Sequence, residues 1–554
     1  MFQGRVRRWR SACRCAPWRP VSREACPTSR PSRVSAAWAD AARKGPARAH
    51  GVRAAEKGNS LPAQVSSWAR PACLLQSRSF FVAPSFFKET TCMQGTVAAG
   101  DARKGHPRGL YLLFFTEMWE RMSYYGMRGL LVLFLTSKVN GGFGWSTADA
   151  LSLYGTYTGL VYLTPIAGGF IADRYMGQRR AVVLGGVLMM IGHLILALPS
   201  VTMFYAGLGF LIIGNGFFKP NISTMVGGLY APGDGRRDSA FTIFYMGINL
   251  GAVLGNFICG TLGERVGWHW GFGAAGVGML LGLIAFVSMQ NKLLGQVGLV
   301  PERMVAAAEA KPGTPEKSGF GRDEIDRILV IFIMALFVVA FWTGFEQAGG
   351  LMNLYTNAKV DRGILGWEVP TTWFQNFNSI FIVTLAPIFA GLWSWLAARG
   401  KDPSIPVKMS MGLLFLSAGF LFMLGASSES ASTGKAAAWW VVMAYLLHTM
   451  GELCLSPVGL SMVTKVAPAR IVSAMMGVWF LANAAANKLA GVFGGYSEKL
   501  GEFSVFLYIS VGTGIAGVLL LVVSPILKRM MHGTDEVKPA APTSAQQGGS
   551  VAAA

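Results

Sequence analysis

The sequence predicts an all-α polytopic membrane protein with twelve transmembrane helices in two six-helix halves. Three observations carry this. Only 14% of the 554 residues are charged while 52% are hydrophobic and 69 are glycine; a soluble protein has roughly 25% charged residues and about 7% Gly. From Leu110 onward, apolar runs follow one another, each near the about 20 residues that span a bilayer. Between the runs, Arg- and Lys-bearing loops alternate with loops poor in such charge.

The net charge of +21 would ordinarily suggest nucleic acid or an anionic surface. Its distribution argues otherwise. Residues 1–92 hold 17 of the 49 Lys and Arg but 4 of the 28 acids, a surplus of 13, and the other 462 residues carry a surplus of only 8. Cys13, Cys15, Cys26, Cys73 and Cys92 fall in the same Arg/Ala/Ser/Pro-rich segment. Its apolar stretches, such as Phe80-Phe81-Val82-Ala83, are too short for a signal peptide or a span. Three readings compete: an organelle transit peptide, a basic tail for an anionic surface, and upstream sequence read from a start codon placed too early. The last is preferred, with Met93-Gln94-Gly95 as the beginning. Cys13 and Cys15 have no second pair at metal spacing, so no metal site is expected.

The twelve predicted spans are 109–138, 147–172, 180–199, 202–229, 238–262, 269–290, 327–348, 370–397, 406–425, 436–465, 472–495 and 503–527. Backbone facing lipid must satisfy its own hydrogen bonds, so runs this long without turn signals are helices. The longer ones imply tilt. Arg174, Arg179, Arg180, Arg236, Arg237, Arg399, Lys401, Lys465, Arg470, Lys528 and Arg529 fall on one side, whereas 200–202 and 426–434 lie opposite. The positive-inside rule makes the first side cytoplasmic and puts both termini there. A polar linker, 291–326, separates a 93–290 bundle from a 327–530 bundle, and the Ala/Pro/Ser/Gln-rich tail 531–554 is expected to be disordered.

The halves read as repeats. Gly214, Pro220, Met225 and Val226 in the fourth span coincide at one constant offset with Gly451, Pro457, Met462 and Val463 in the tenth. Two parallel six-helix halves with a site between them is the major facilitator arrangement, and abundant glycine lets membrane helices approach closely.

Ionisable groups inside apolar runs are costly and face a cavity or a partner. Here they are Glu117, Glu120, Arg121 and Arg128 in the first span, Lys219 in the fourth, Glu346 in the seventh and Glu452 in the tenth. Buried pairs seldom improve on apolar packing, so a functional reason is expected. A zwitterionic ligand supplies one, since Arg suits a carboxylate and Glu an amine. A carboxylate beside a base can also alternate between protonated and ion-paired forms, as proton coupling requires.

Five segments then share a resemblance. Glu117-Met-Trp-Glu120-Arg121-Met-Ser-Tyr124-Tyr125-Gly126 resembles the ExxER[FM]xYYG motif of the proton-coupled oligopeptide transporter family of the major facilitator superfamily. Phe244-Tyr245-Met246-Gly247-Ile248-Asn249-Leu250-Gly251 is similar to its helix 5 signature, and Gly169 to Arg180 to the general facilitator loop. Phe341 to Gln347 and Gly451 to Pro457 resemble its helix 7 and helix 10 patterns. The likeness covers about 105–530.

The resemblance implies roles. Glu117, Glu120, Arg121 and Glu346 would serve proton coupling, Glu346 pairing with Arg128 when ionised. Arg128 and Lys219 would hold a peptide carboxylate, while Asn249, Asn378 and Glu452 would sit near its amino end. Tyr125 and Tyr162 would shape the side-chain region between Trp342 and Trp479. Asp173, Arg174 and Gly177 belong to the facilitator loop. Lys219 is left open between Glu117 and Glu452 as partner.

Departures from the family pattern accompany these. The linker is too polar for the two extra helices of many bacterial members, the second span lacks the His of animal members, and Asn483 and Asn487 put side-chain selectivity in doubt. His448, four residues before Glu452, reads as structural ahead of a proton relay.

The function so implied is proton-coupled import of di- and tripeptides across a bacterial inner membrane. It would be carried out by a monomer in the lipid bilayer, with protons as coupling ion, no other cofactor and no nucleic acid. The alternatives are a same-fold transporter of nitrate, amino acids or drugs, and a nutrient-sensing receptor. Neither HExxH nor GxxxxGK[ST] occurs, which disfavours a membrane peptidase and an ATP-driven pump.

Overall fold

Residues 105–231, 234–301 and 320–534 are described by the computed structural model. The expectations for 1–92 lie outside them, as do those for most of the linker and tail. Twelve long helices run through the described residues. The N-terminal half holds α1 (Arg108–Thr136), α2 (Thr147–Ile171), α3 (Gln178–Leu196), α4 (Val201–Gly228), α5 (Arg236–Gly255) and α6 (Trp268–Leu293). The C-terminal half holds α7 (Arg322–Phe345), α8 (Asn376–Ala398), α9 (Ile405–Thr433), α10 (Ala438–Val466), α11 (Val472–Gly495) and α12 (Glu502–Met530). Each overlaps one of the predicted spans. Local chemistry sets several ends: the Ser146 hydroxyl accepts from the Asp149 N–H at 3.0 Å to start α2, and Glu324 reaches back to the Gly321 N–H at 3.1 Å to start α7.

Nine stretches of the described chain are apolar and long enough to cross a membrane, but α1, α2 and α11 are not among them. Their polarity has a use. α2 packs along α11, bringing the two halves together, and Arg128 of α1 binds Glu346 just beyond the end of α7. Helices that line an interface inside the protein need not be as apolar as those facing lipid.

Three spans differ from expectation. The seventh does not stop at 348: α7 ends at Phe345, a tight turn covers Glu346–Ala348, and a short helix, Leu351–Lys359, continues outward. The fifth is interrupted by a wider helical turn at Asn256–Gly260 before a last short piece, Thr261–Arg265. The ninth runs eight residues past 425. Its polar end is held by Glu429, which accepts from Trp440 Nε1 and, at 3.2 Å, from the Ala437 N–H.

Among the described residues, four two-residue strands lie in the connections of the C-terminal half. β1 (Val360–Asp361) pairs in parallel with β4 (Ala436–Ala437), and β2 (Gly363–Ile364) pairs antiparallel with β3 (Trp367–Glu368). Strands this short carry no alternation for sequence reasoning to detect.

The internal repeat is physical. In the α3–α4 pair a Cβ on Gly214 would lie 2.8 Å from the Gly185 carbonyl; in the α9–α10 pair a Cβ on Gly451 would lie 2.7 Å from the Gly412 carbonyl. The same backbone-on-backbone contact occurs at corresponding places in both halves.

The halves meet through polar contacts near the C-terminal end of α1, the start of α2 and the start of α8. Asn353 donates to the Gly129 carbonyl at 2.9 Å, Asn256 to Asn376 at 2.9 Å, and Lys488 to Thr156 at 2.7 Å.

Candidate functional site

Three groups of the predicted residues come together. The first lies inside the N-terminal half. On α1, Glu117, Glu120 and Arg121 are all buried. Arg121 binds Glu120 through both forks, its Nη2 donating to Oε1 at 2.5 Å, and its Nε is 3.4 Å from Glu117. Lys219, reaching across from α4, donates to Glu117 at 3.0 Å. Lys219 therefore pairs with Glu117 here and not with Glu452. Its side chain is about a third exposed.

The second group joins the halves. Arg128 of α1 binds Glu346 at the turn ending α7, and its Nε donates to the Tyr154 hydroxyl of α2 at 2.6 Å. Tyr125 lies beneath the same guanidinium at 5.9 Å. At 1.5 Å rise per residue, Arg128 sits about 16 Å further along α1 than Glu117. The charge pairs thus occupy two depths, and of these two groups only the outer one bridges the halves.

The third group lies in the C-terminal half. Asn378 of α8 donates to Glu452 of α10 at 2.9 Å and to the Thr449 hydroxyl at 3.1 Å. Glu452 is within Coulombic reach of Glu346 and of Tyr125. Across the three groups four carboxylates accompany three bases, and Glu452 is hydrogen-bonded by a neutral amide.

The remaining residues are placed individually. Asn249 is buried and turns its amide onto the Tyr245 carbonyl of its own helix at 3.1 Å. Trp342 packs edge-on against Phe341 and Phe345, and Trp479 is buried against Gly459, where a Cβ would fall 2.4 Å from its ring. Tyr162 is half-buried on the face of α2 that also carries Tyr154, two turns away. His448 is buried against the Phe420 ring, 4.7 Å between centroids, with neither ring nitrogen hydrogen-bonded to a side chain. That is packing and not a proton path.

Between α2 and α3, Asp173 and Arg174 occupy the turn Ala172–Met176, with Arg174 over Phe170 at 5.7 Å. Gly177 takes φ 79°, and a Cβ there would meet the Leu299 carbonyl at 2.8 Å. Arg179 clamps the same segment through the Val297 and Gly295 carbonyls at 2.7 and 2.6 Å. Among the described residues, no cluster of three or more His, Cys, Asp or Glu could hold a metal ion.

The profile of the POT family matches residues 179–294 and 319–503. The chain belongs to the POT family. It is 38% identical over 474 residues to the uncharacterized transporter YclF of Bacillus subtilis, covering 77% of this chain and 96% of that one. It is also 38% identical over 492 residues to the peptide transporter YePEPT of Yersinia enterocolitica, covering 78% and 96%. Among solved structures, the peptide transporter POT in complex with sulfate superposes with a TM-score of 0.71 at 36% identity, covering 77% of this chain and 96% of that one. A multi-pass transporter fold of the major facilitator type follows for this POT family member.

Sequence reasoning missed Tyr154, Asn215 and Thr449. Asn215 lies 3.5 Å from Glu120, one turn before Lys219 on α4. Tyr154 was open to detection, because it stands eight residues before Tyr162 on one helical face.

Proposed function

We propose that this POT family member is a monomeric symporter that imports di- and tripeptides with protons across a bacterial inner membrane, both termini facing the cytoplasm. It carries the peptide unchanged and needs no cofactor beyond the coupling protons. The observation that carries this reading is the unequal charge count. Glu452, a carboxylate paired with no cation among the described residues, stands on the C-terminal half, and the cations Arg128 and Lys219 stand on the N-terminal half. A short peptide brings an ammonium and a carboxylate, and so supplies what each side lacks. Relatives named peptide transporter and di-/tripeptide transporter, and a variant of the peptide transporter POT solved with alafosfalin, support the substrate class.

The Arg128–Glu346 pair supports proton coupling. While ionised, Glu346 occupies Arg128. A proton on Glu346 frees the guanidinium to take a peptide carboxylate, and loss of that proton to the inner side restores the pair and displaces the peptide. Rocking of the halves about the central site would expose it to each side in turn. Tyr125, Tyr162, Trp342 and Trp479 provide aromatic surface that accepts varied side chains, with water filling the remainder.

Uptake of a labelled dipeptide into proteoliposomes, with and without an imposed proton gradient, tests the whole reading. Accumulation should require the gradient, and excess nitrate or free amino acids should not compete. Glu346→Gln should lose gradient-driven accumulation while keeping counterflow exchange. Retained accumulation in that variant would remove Glu346 from the coupling role.

A further inference from the structure

We infer that Glu264 is the latch of the outer gate, a positioning residue that sets how readily the halves part on the outer side. It sits in the short helix Thr261–Arg265 at the outer end of the N-terminal half. Its carboxylate crosses to the C-terminal half and accepts three hydrogen bonds: from the Thr371 N–H at 2.7 Å, the Thr372 N–H at 2.9 Å and the Thr372 hydroxyl at 2.8 Å. Arg362 lies 4.0 Å away and is itself bound to Glu368 at 2.7 Å.

These amides open the helical turn Thr371–Gln375 that leads into α8. The first amides of a helix have no partner within it and carry its positive end. Usually a Ser, Thr, Asp or Asn just before the helix caps them. Here that residue is Pro370, which has no such side chain. The cap comes from the other half of the protein instead. Around it, Trp373 Nε1 donates to Thr261 at 2.9 Å, and the Trp373 ring stands edge-on to Phe257 at 4.5 Å. Outward opening separates Glu264 from the α8 terminus, leaving amides and carboxylate to find water. The latch therefore favours the outer-closed state.

The inference rests on alternating access but not on the identity of the substrate. The test is spin-label distance measurement on the full chain in nanodiscs. Leu198→Cys and Lys435→Cys place labels in exposed outer loops of opposite halves, with Cys13, Cys15, Cys26, Cys73 and Cys92 replaced by Ser. Glu264→Ala should raise the population of the longer outer distance by on the order of ten-fold, the scale of losing charge-assisted bonds. Glu264→Gln, whose amide oxygen still accepts, should restore part of the short distance. Should Glu264→Ala not fold, Thr372→Val, which removes one of the three bonds, should shift the populations the same way by less. Unchanged distances in a folded Glu264→Ala or Thr372→Val protein would overturn the latch. A shift accompanied by no peptide uptake in the parent protein would leave the latch standing and refute the substrate.

Discussion

Replacing Arg128 by methionine strands two partners at once. Glu346 is 3% exposed and Arg128 12%, so their pair lies where water does little to compensate. Removing one member of such a pair leaves a buried charge and typically costs about 3–5 kcal/mol. The Tyr154 hydroxyl also loses its 2.6 Å donor, a loss of about 1 kcal/mol. Adding Glu346→Gln removes the stranded charge, and the double variant should recover most of the first cost. The coupling energy of the cycle is expected at about 2–4 kcal/mol, well above the roughly 0.5 kcal/mol scatter of independent sites. Equilibrium unfolding in mixed micelles, followed by tryptophan fluorescence for the parent, both single variants and the double, gives this number. Additive costs would show that the two groups do not act as a unit, and the protonation-gated release of Arg128 would fall with them.

Three further outcomes are expected. A Cβ on Gly168 would lie 2.0 Å from the Gly216 carbonyl, so Gly168→Ala must push α2 and α4 apart at a cost of at least about 1–3 kcal/mol. Gly209 on α4 has open space around it, and Gly209→Ala should melt no lower than the parent in detergent thermal scans. Asp234, in the inner loop before α5, is hydrogen-bonded by Arg236, which holds its carboxyl down from 3.8 to about 2. A depressed carboxyl contributes its stability above the ordinary value and loses it only as pH falls from about 4 toward about 2. Asp234→Asn should therefore leave the pH profile of uptake unchanged from about pH 5 to about pH 8, and any shift there would contradict the assignment.

The sequence was most informative where one physical requirement dominates. Bilayer thickness fixes the length of an apolar run, so 202–229 anticipates Val201–Gly228 closely. It fails where a span is interrupted. Gly349 and Gly350 sit in an otherwise apolar stretch, and nothing in composition distinguishes a break from a close packing contact. It also fails at the polar end of α9, because Glu429 is stabilised by Trp440 from the following helix. The site shows the same division. Cost alone singled out Glu117, Arg121, Arg128, Lys219, Glu346 and Glu452 as residues needing partners. Which partners they take depends on how α1, α4 and α7 cross, and spacing along one helix carries no information about that. Glu264 escaped notice for the same reason, being an ordinary surface acid until Thr371 and Thr372 are folded against it.

The mirrored glycine contacts bear on where this protein can yield. At Gly185 with Gly214, and again at Gly412 with Gly451, main chain rests on main chain. Side chains can change rotamer to absorb a displacement, but two touching backbones cannot, and protein interiors resist compression. Each of these helix pairs is accordingly a stiff plate. Compliance is left to the jointed members: α5 with its widened turn at Asn256–Gly260, and α7 with its break beside Glu346. The two hinges stand next to the two carboxylates, Glu264 and Glu346, that join one half of the protein to the other.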